Sequence, residues 1–200
     1  TKWTKEAGSW QRVITHSMSI VQSNMMELGT KAPHFTLRDT ISQNMRSFSE
    51  LKSDVATVVV FICNHCPFVH HINRKLVEVA NEYQSKGVQF IAISSNDVDY
   101  YPQDGPQMMA RVAERLAYPF PYLYDETQEV AQAYQAECTP DFFVFDGHSE
   151  LAYRGRFDES RPNMGAASGR ELSAALDALI EGKEVLKKQY PSIGCSIKWK

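Results

Sequence analysis

The sequence predicts an α/β domain built on a central mixed β-sheet flanked by helices. Three observations carry this. Val58-Val59-Val60-Phe61-Ile62 is a continuous apolar run, and Val88-Gln89-Phe90-Ile91-Ala92-Ile93 is a second. Between them Ile72, Leu76, Val79 and Tyr83 recur at i, i+4, i+7 and i+11, the stripe of an amphipathic helix. Strand, helix and strand in that order form a βαβ unit, with parallel strands and a right-handed crossover. Further on, Asp141 to Gly147 and Leu151 to Arg156 flank an Asp-Gly turn and predict an antiparallel hairpin, which makes the sheet mixed.

In chain order, residues 1–27 are an N-terminal hairpin extension with no clean hydrophobic period. Trp3, Trp10, Val13, Ile14 and Val21 are scattered through it and are expected to pack partly on the body. The domain proper is placed at residues 28–182. It opens on Leu28-Gly29, with Phe35 and Leu37 alternating with polar residues as in a short half-exposed strand. Thr40 to Arg46 reads as a polar loop, and Ser47 to Leu51 as one helical turn. The run at 56–62 is apolar on both faces, which suits the centre of a sheet covered on each side. Pro67 suits a helix start, where its missing N–H costs little, and Gly87 marks the end. Ser94 to Gly105 is polar and reads as a loop. Pro106 to Ala117 predicts a helix with Met109, Val112, Ala113 and Leu116 inward. Pro119 to Asp125 predicts a short strand, and Glu126 to Gln135 a helix with Val130, Ala131 and Tyr134 inward. Arg170 to Glu181 carries Leu172, Ala175, Leu176, Leu179 and Ile180 and stops at Gly182, leaving a basic tail over residues 183–200.

Bulk properties exclude several classes. Lysines and arginines number 21 against 24 acidic residues, a formal net charge of −3. With no long charged run, nucleic acid and anionic membranes are not expected partners. No apolar run approaches a membrane span, and the first twenty residues show no apolar signal core. Four cysteines in 200 residues are too few for a disulfide-dense secreted scaffold, so a cytoplasmic location is expected.

Those four are Cys63, Cys66, Cys138 and Cys195, of which only Cys63 and Cys66 sit together, as Cys63-Asn64-His65-Cys66. A Cys-x-x-Cys pair can be half of a zinc site, a redox dithiol or two structural residues. Closed zinc sites usually show two such pairs, and there is no second here. Placement between a buried strand and a helix favours a redox dithiol, because helix N-terminal N–H groups and the helix dipole stabilise a thiolate. On this reading Cys63, ahead of the helix, is the exposed nucleophile. Cys66, a turn inside, resolves the mixed disulfide. An imidazolium at His65 lowers the Cys63 pKa; the alternative is a solvent-facing histidine without consequence. The expected partners are protein or small-molecule disulfides and thiols, with no cofactor. His70 and His71 carry no assignment.

With these residues in view, the chain resembles the thioredoxin superfamily, and within it the peroxiredoxin-like alkyl hydroperoxide reductase/thiol-specific antioxidant branch. The similarity rests on Leu28-Gly29-x-x-Ala32-Pro33-x-Phe35-x-Leu37, on Cys63 to Val69, on Cys138-Thr139-Pro140-Asp141-Phe142-Phe143-Val144, and on Gly194-Cys195-Ser196-Ile197-Lys198-Trp199. The resemblance implies a thioredoxin-like fold in which Pro140 is cis and faces the dithiol. It also implies that the Thr139 backbone pairs with an extended substrate strand.

Against the peroxidase pattern, the peroxidatic cysteine aligns with Cys66, but Cys63 stands where a Thr or Ser belongs and Pro140 where an arginine belongs. The upstream proline is replaced within Val59-Val60-Phe61-Ile62. The expected activity is therefore thiol–disulfide exchange in redox homeostasis or antioxidant defence, with hydroperoxide reduction as an alternative. Cys138 beside Pro140 is either a small buried residue or part of the site. Its position resembles a ligand position of copper-delivery relatives, so a Cu(I) or zinc carrier using Cys63, Cys66 and Cys138 is a third reading. Cys195, in the tail, is either a third redox partner or a surface residue, and is expected at the surface or docked with the tail.

Overall fold

The computed structural model describes residues 19–200 in full and the backbone of 2–6 and 9–13. Strands β1 (Lys2–Glu6) and β2 (Ser9–Val13) pair antiparallel as an N-terminal hairpin. The expected packing of Trp3, Trp10, Val13 and Ile14 on the body lies outside the described residues.

A seven-stranded mixed sheet organises the rest. Its members are β4 (Thr36–Asp39), β5 (Met45–Ser47), β6 (Ala56–Phe61), β7 (Val88–Ser94), β8 (Tyr122–Tyr124), β10 (Asp141–Asp146) and β11 (Leu151–Gly155). In space they run β11-β10-β6-β7-β8-β4-β5. β6, β7 and β8 are mutually parallel, and the outer neighbours pair antiparallel. The expected loop at 40–46 is shorter than the sequence suggested, because Met45–Ser47 turns back on β4 as an edge strand. Asp39 fixes that turn by accepting the N–H groups of Ile41 and Ser42, each at 3.1 Å.

The doubly apolar run of β6 has a direct explanation. Successive side chains on a strand point to opposite faces. Val58 and Val60 enter one core with Ile72, Leu76, Val79 and Tyr83 of helix α2 (Pro67–Gln84). Helices α3 (Pro106–Leu116) and α5 (Arg170–Ile180) cover the same face, through Met109, Ala113, Leu172 and Leu176. Val59 and Phe61 enter a second core with Phe143, Phe145, Tyr134 and Phe48, next to the short helices α1 (Phe48–Leu51) and α4 (Glu129–Ala133). Tyr134 is the hub there: its ring meets Phe61, Phe143 and Phe145 edge-on at 5.3–5.9 Å, and its hydroxyl donates to the Pro33 carbonyl at 3.0 Å.

The tail departs most from expectation. Ile193–Ser196 is a strand, β12, at the centre of a small antiparallel sheet between β3 (Ile20–Gln22) and β9 (Cys138–Thr139). Asp97 N–H donates to the Lys198 carbonyl at 2.8 Å, Ile197 N–H to the Glu137 carbonyl at 3.0 Å, and Lys198 N–H to Asn96 Oδ1 at 2.9 Å. No described helix is long and apolar enough to cross a membrane.

Candidate redox site

β6 ends at Phe61, and the chain carries Cys63, Asn64 and His65 over the sheet's C-terminal edge into α2. Cys66 is the N-cap of that helix rather than a residue one turn inside it, because Pro67 occupies the first helical position. The Thr139-Pro140 peptide bond is cis and lies against the pair. Cys66 Sγ is 3.1 Å from the Thr139 carbonyl oxygen, and Cys63 Sγ is 3.4 Å from the Thr139 hydroxyl.

The accessibility expected of Cys63 is not found. It is 1 % exposed and Cys66 is fully buried, because Asn64, His65 and the loop after β7 close over them. That loop, read from sequence only as polar, supplies Asp104 from a 3₁₀ turn over Pro102–Asp104. Asp104 is fully buried: its Oδ1 accepts from Asn64 N–H and its Oδ2 from Asn96 Nδ2, each at 2.8 Å, and His65 Nδ1 lies 2.5 Å from the same Oδ2. The His65 ring stacks on Tyr101 at 5.0 Å with planes 9° apart. His65 is thus neither solvent-facing nor aimed chiefly at the dithiol: Cys63 Sγ lies 3.9 Å from the same Nδ1 that meets Asp104. Asn64 is held from three sides: its side chain donates to the Gln103 carbonyl at 2.8 Å and accepts from the Tyr122 hydroxyl at 3.1 Å, while its carbonyl meets His70 Nε2 at 2.5 Å.

Of the two placements expected for Cys195, surface or docked with the tail, the second is found: it is 2 % exposed and has its Sγ 2.9 Å from that of Cys66. Its strand lies on the Thr139 backbone, with Cys195 opposite Thr139 and Ser196 opposite Cys138. The edge expected to receive a substrate strand is therefore occupied by the protein's own C-terminal strand. Gly194 permits this approach: a Cβ there would sit 2.0 Å from the Thr139 carbonyl oxygen. Cys138 is buried, its Sγ 3.7 Å from the Pro140 carbonyl. The soft-ligand set Cys63, Cys66 and Cys138 is not assembled. Among the described residues, the three-residue set with ligand atoms within 4.8 Å of one another is Cys63, His65 and Asp104.

The charge in this cluster is distributed against expectation. The Cys66 pKa is held well below the ordinary thiol range by hydrogen bonding with Cys195 and with Cys63, helped by Thr139 and the Val69 N–H in the first turn of α2, against the opposing effect of burial. The Thr139 carbonyl is a contact that favours its protonated form. Cys63 is pushed up by donating to Cys66, by burial and by the Asp104 carboxylate. Cys195 is raised for the first two reasons, with Lys198 pulling the other way. Among the described residues no arginine hydrogen-bonds either cysteine of the pair. Arg154, deeply buried near β10, is committed to Asp141 through a two-pronged ion pair.

Asp104, Asn96 and Tyr101 escaped the sequence reading. Their segment has no periodicity, and their roles depend on a loop folding back across the edge of the sheet. The repeated turn-formers Pro102, Gly105 and Pro106 were the only local signal that the segment is shaped.

Comparison with known proteins places this geometry. A family model described as AhpC/TSA matches residues 28–154. The crystal structure of an uncharacterized conserved protein from Geobacillus kaustophilus is 58% identical, covers 92% of this chain and 98% of its own, and superposes with a TM-score of 0.91. A hypothetical protein from Sinorhizobium meliloti is 43% identical, covering 90% of this chain and 98% of its own, with a TM-score of 0.87. The Mycobacterium tuberculosis protein titled peroxidoxin BcpB is 19% identical over 79% of this chain and 98% of its own, at a TM-score of 0.59, and shares the fold. None of the curated proteins matches the chain.

Proposed function

Because the chain belongs to the AhpC/TSA family and carries a thioredoxin-type α/β fold, we propose that it is a thiol–disulfide oxidoreductase working through Cys63 and Cys66. The observation that carries the reading is the pair itself, at the N-terminus of α2 against the cis Thr139-Pro140 bond, with both sulfurs in contact with Thr139.

Cys63 is the attacking sulfur. Cys66 is enclosed by the Thr139 carbonyl and by Cys195, whereas Cys63 adjoins the half-buried Asn64 and His65. Passing the Cys63 proton to Cys66, whose pKa is the lower of the two, charges Cys63 when a disulfide approaches. Cys63 then bonds to one substrate sulfur and expels the other as a thiol. Cys66 attacks Cys63, closing the intramolecular disulfide and releasing the second substrate thiol. Thr139 hydrogen-bonds Cys63 and orients it. Small disulfides suit the site as it stands, because the Thr139 backbone edge is already paired.

The test is a trapping pair in which a chromogenic disulfide is incubated with each variant. Cys63→Ser abolishes turnover, and Cys66→Ser accumulates a mixed disulfide on Cys63. Undiminished turnover in Cys63→Ser would overturn the reading. The thiolate character of Cys66, which aligns with the peroxidatic position, favours hydroperoxide reduction as a second reading. That reading predicts peroxide consumption that requires Cys66 and survives Cys63→Ser.

A further inference from the structure

Building on the dithiol reading above, we propose that Cys195 is a third redox-active thiol of the site, able to take over Cys66 from Cys63 in an alternative Cys66–Cys195 disulfide. The first observation is distance. The Cys66 and Cys195 sulfurs lie 2.9 Å apart, closer than two thiols sit in ordinary van der Waals contact, so a bond between them needs a movement of about 0.9 Å to reach disulfide length. The second is arrangement. Cys63, Cys66 and Cys195 are not gathered within 4.8 Å of one another, yet Cys66 meets Cys195 directly and shares with Cys63 a contact on Thr139. The central sulfur thus faces a possible partner on each side, an arrangement suited to exchange rather than to a metal held at one point.

The third observation is how Cys195 is delivered. Its strand lies on the backbone just before the cis proline, where a substrate strand was expected, with Cys195 opposite Thr139. That placement depends on Gly194 lacking a side chain and on anchors that follow it, Ile197 to Glu137 and Lys198 to Asn96. The chain carries its own substrate-like strand, with a cysteine at the position facing the dithiol.

The step balances internally. After the site has been oxidised to Cys63–Cys66 by a substrate disulfide, the Cys195 sulfur attacks Cys66. The Cys66–Cys195 bond forms and the Cys63–Cys66 bond breaks. The electron pair leaves on Cys63, and the proton given up by Cys195 ends on the Cys63 sulfur. No further oxidant is consumed. Cys63 is returned as a free thiol while the C-terminal strand is fastened to the head of α2.

The experiment oxidises the reduced full-length chain with diamide, an azo compound that takes two electrons and two protons. Acid quenching, tryptic digestion without reduction and mass spectrometry follow. Cys63 and Cys66 fall on one peptide, residues 53–74, and Cys195 on another, residues 189–198. The expected result is a disulfide-linked pair of these peptides in the wild type, becoming the dominant oxidised product in Cys63→Ser. Finding only the internal Cys63–Cys66 disulfide in the wild type overturns the proposal. So does an absence of the linked pair in a Cys63→Ser protein whose circular dichroism matches the wild type. Either result leaves turnover through Cys63 and Cys66 intact, whereas undiminished turnover in Cys63→Ser removes the underlying reading instead.

Discussion

In the proposed mechanism Cys66 is the sulfur with the lowered pKa, and its state is set by its neighbours more than by its helix. Hydrogen bonding with Cys195 and with Cys63 lowers its pKa, and burial alone would have driven it the other way. A thiol whose folded pKa lies below its unfolded value contributes stability that is full above the unfolded value. That contribution is lost as pH falls through the folded one. Hydrogen bonds to a charged group are worth roughly 1.5–3 kcal/mol, so removing the Cys195 donor should raise the thiolate transition by about one to two pH units. Reduced Cys195→Ala, titrated downward from neutral pH, is therefore expected to lose its ultraviolet thiolate absorbance at a higher pH than the wild type. Coincident titration curves would show that Cys195 does not hold the charge. At the same scale, Asp104 organises the cover of the site: it ties together Asn64, His65 and Asn96, and its charge opposes ionisation of Cys63.

Among the elements, β12 is decisive. A tail of mixed polarity, holding Pro191 and Gly194, becomes a central strand because β3 and β9 each leave an unpaired edge beside it. The closest approach is at Gly194, where backbone atoms of Thr139 fill the space a side chain would need. Gly194→Ala forces the two backbones apart and is expected to lower stability by about 1–3 kcal/mol, the usual cost of overpacking a close contact. Amide hydrogen exchange over residues 193–198 is the direct measurement. It should accelerate relative to α2 in this variant, and an unchanged pattern would mean that β12 accommodates the methyl group without leaving Thr139. Helix α2 behaves as its sequence period requires, with Ile72, Leu76, Val79 and Tyr83 all buried.

For the molecule as a whole, one sheet separates two cores, and the site lies at its edge where β6 and β10 meet the tail. The pair Arg154–Asp141 ties this corner together. Both side chains are fully buried, the Arg154 guanidinium stacks 3.9 Å over the Phe143 ring, and it reaches the Phe142 carbonyl at 3.3 Å. Asp141 begins the strand that follows cis-Pro140 and also accepts the Glu137 N–H at 3.3 Å, so the ion pair braces both sides of the bend holding Thr139. Removing one partner strands the other charge in the interior. Arg154→Met is expected to cost about 3–5 kcal/mol, while Asp141→Leu combined with Arg154→Met should regain much of that loss. Denaturant midpoints measure both, and a single variant as stable as the wild type would rule out a stabilising role for the pair.

The sequence by itself determined the central strands of the sheet and its long helices. Hydrophobic period is a local property: β-branched runs such as Val58 to Ile62 and the stripe from Ile72 to Tyr83 have few other solutions, and Cys-x-x-Cys between them marks the site. Tertiary structure decided what kind of site it is. Asp104 reaches Asn64 across forty residues, and Cys195 reaches Cys66 across 129. Neither separation leaves a trace in local pattern, because the contacts arise only when a loop and a tail return to the same sheet edge. Burial of Cys63 and the transfer of thiolate character to Cys66 follow from those contacts. The number and arrangement of sulfurs around one charge is fixed by packing, and the sequence supplied only the cysteines.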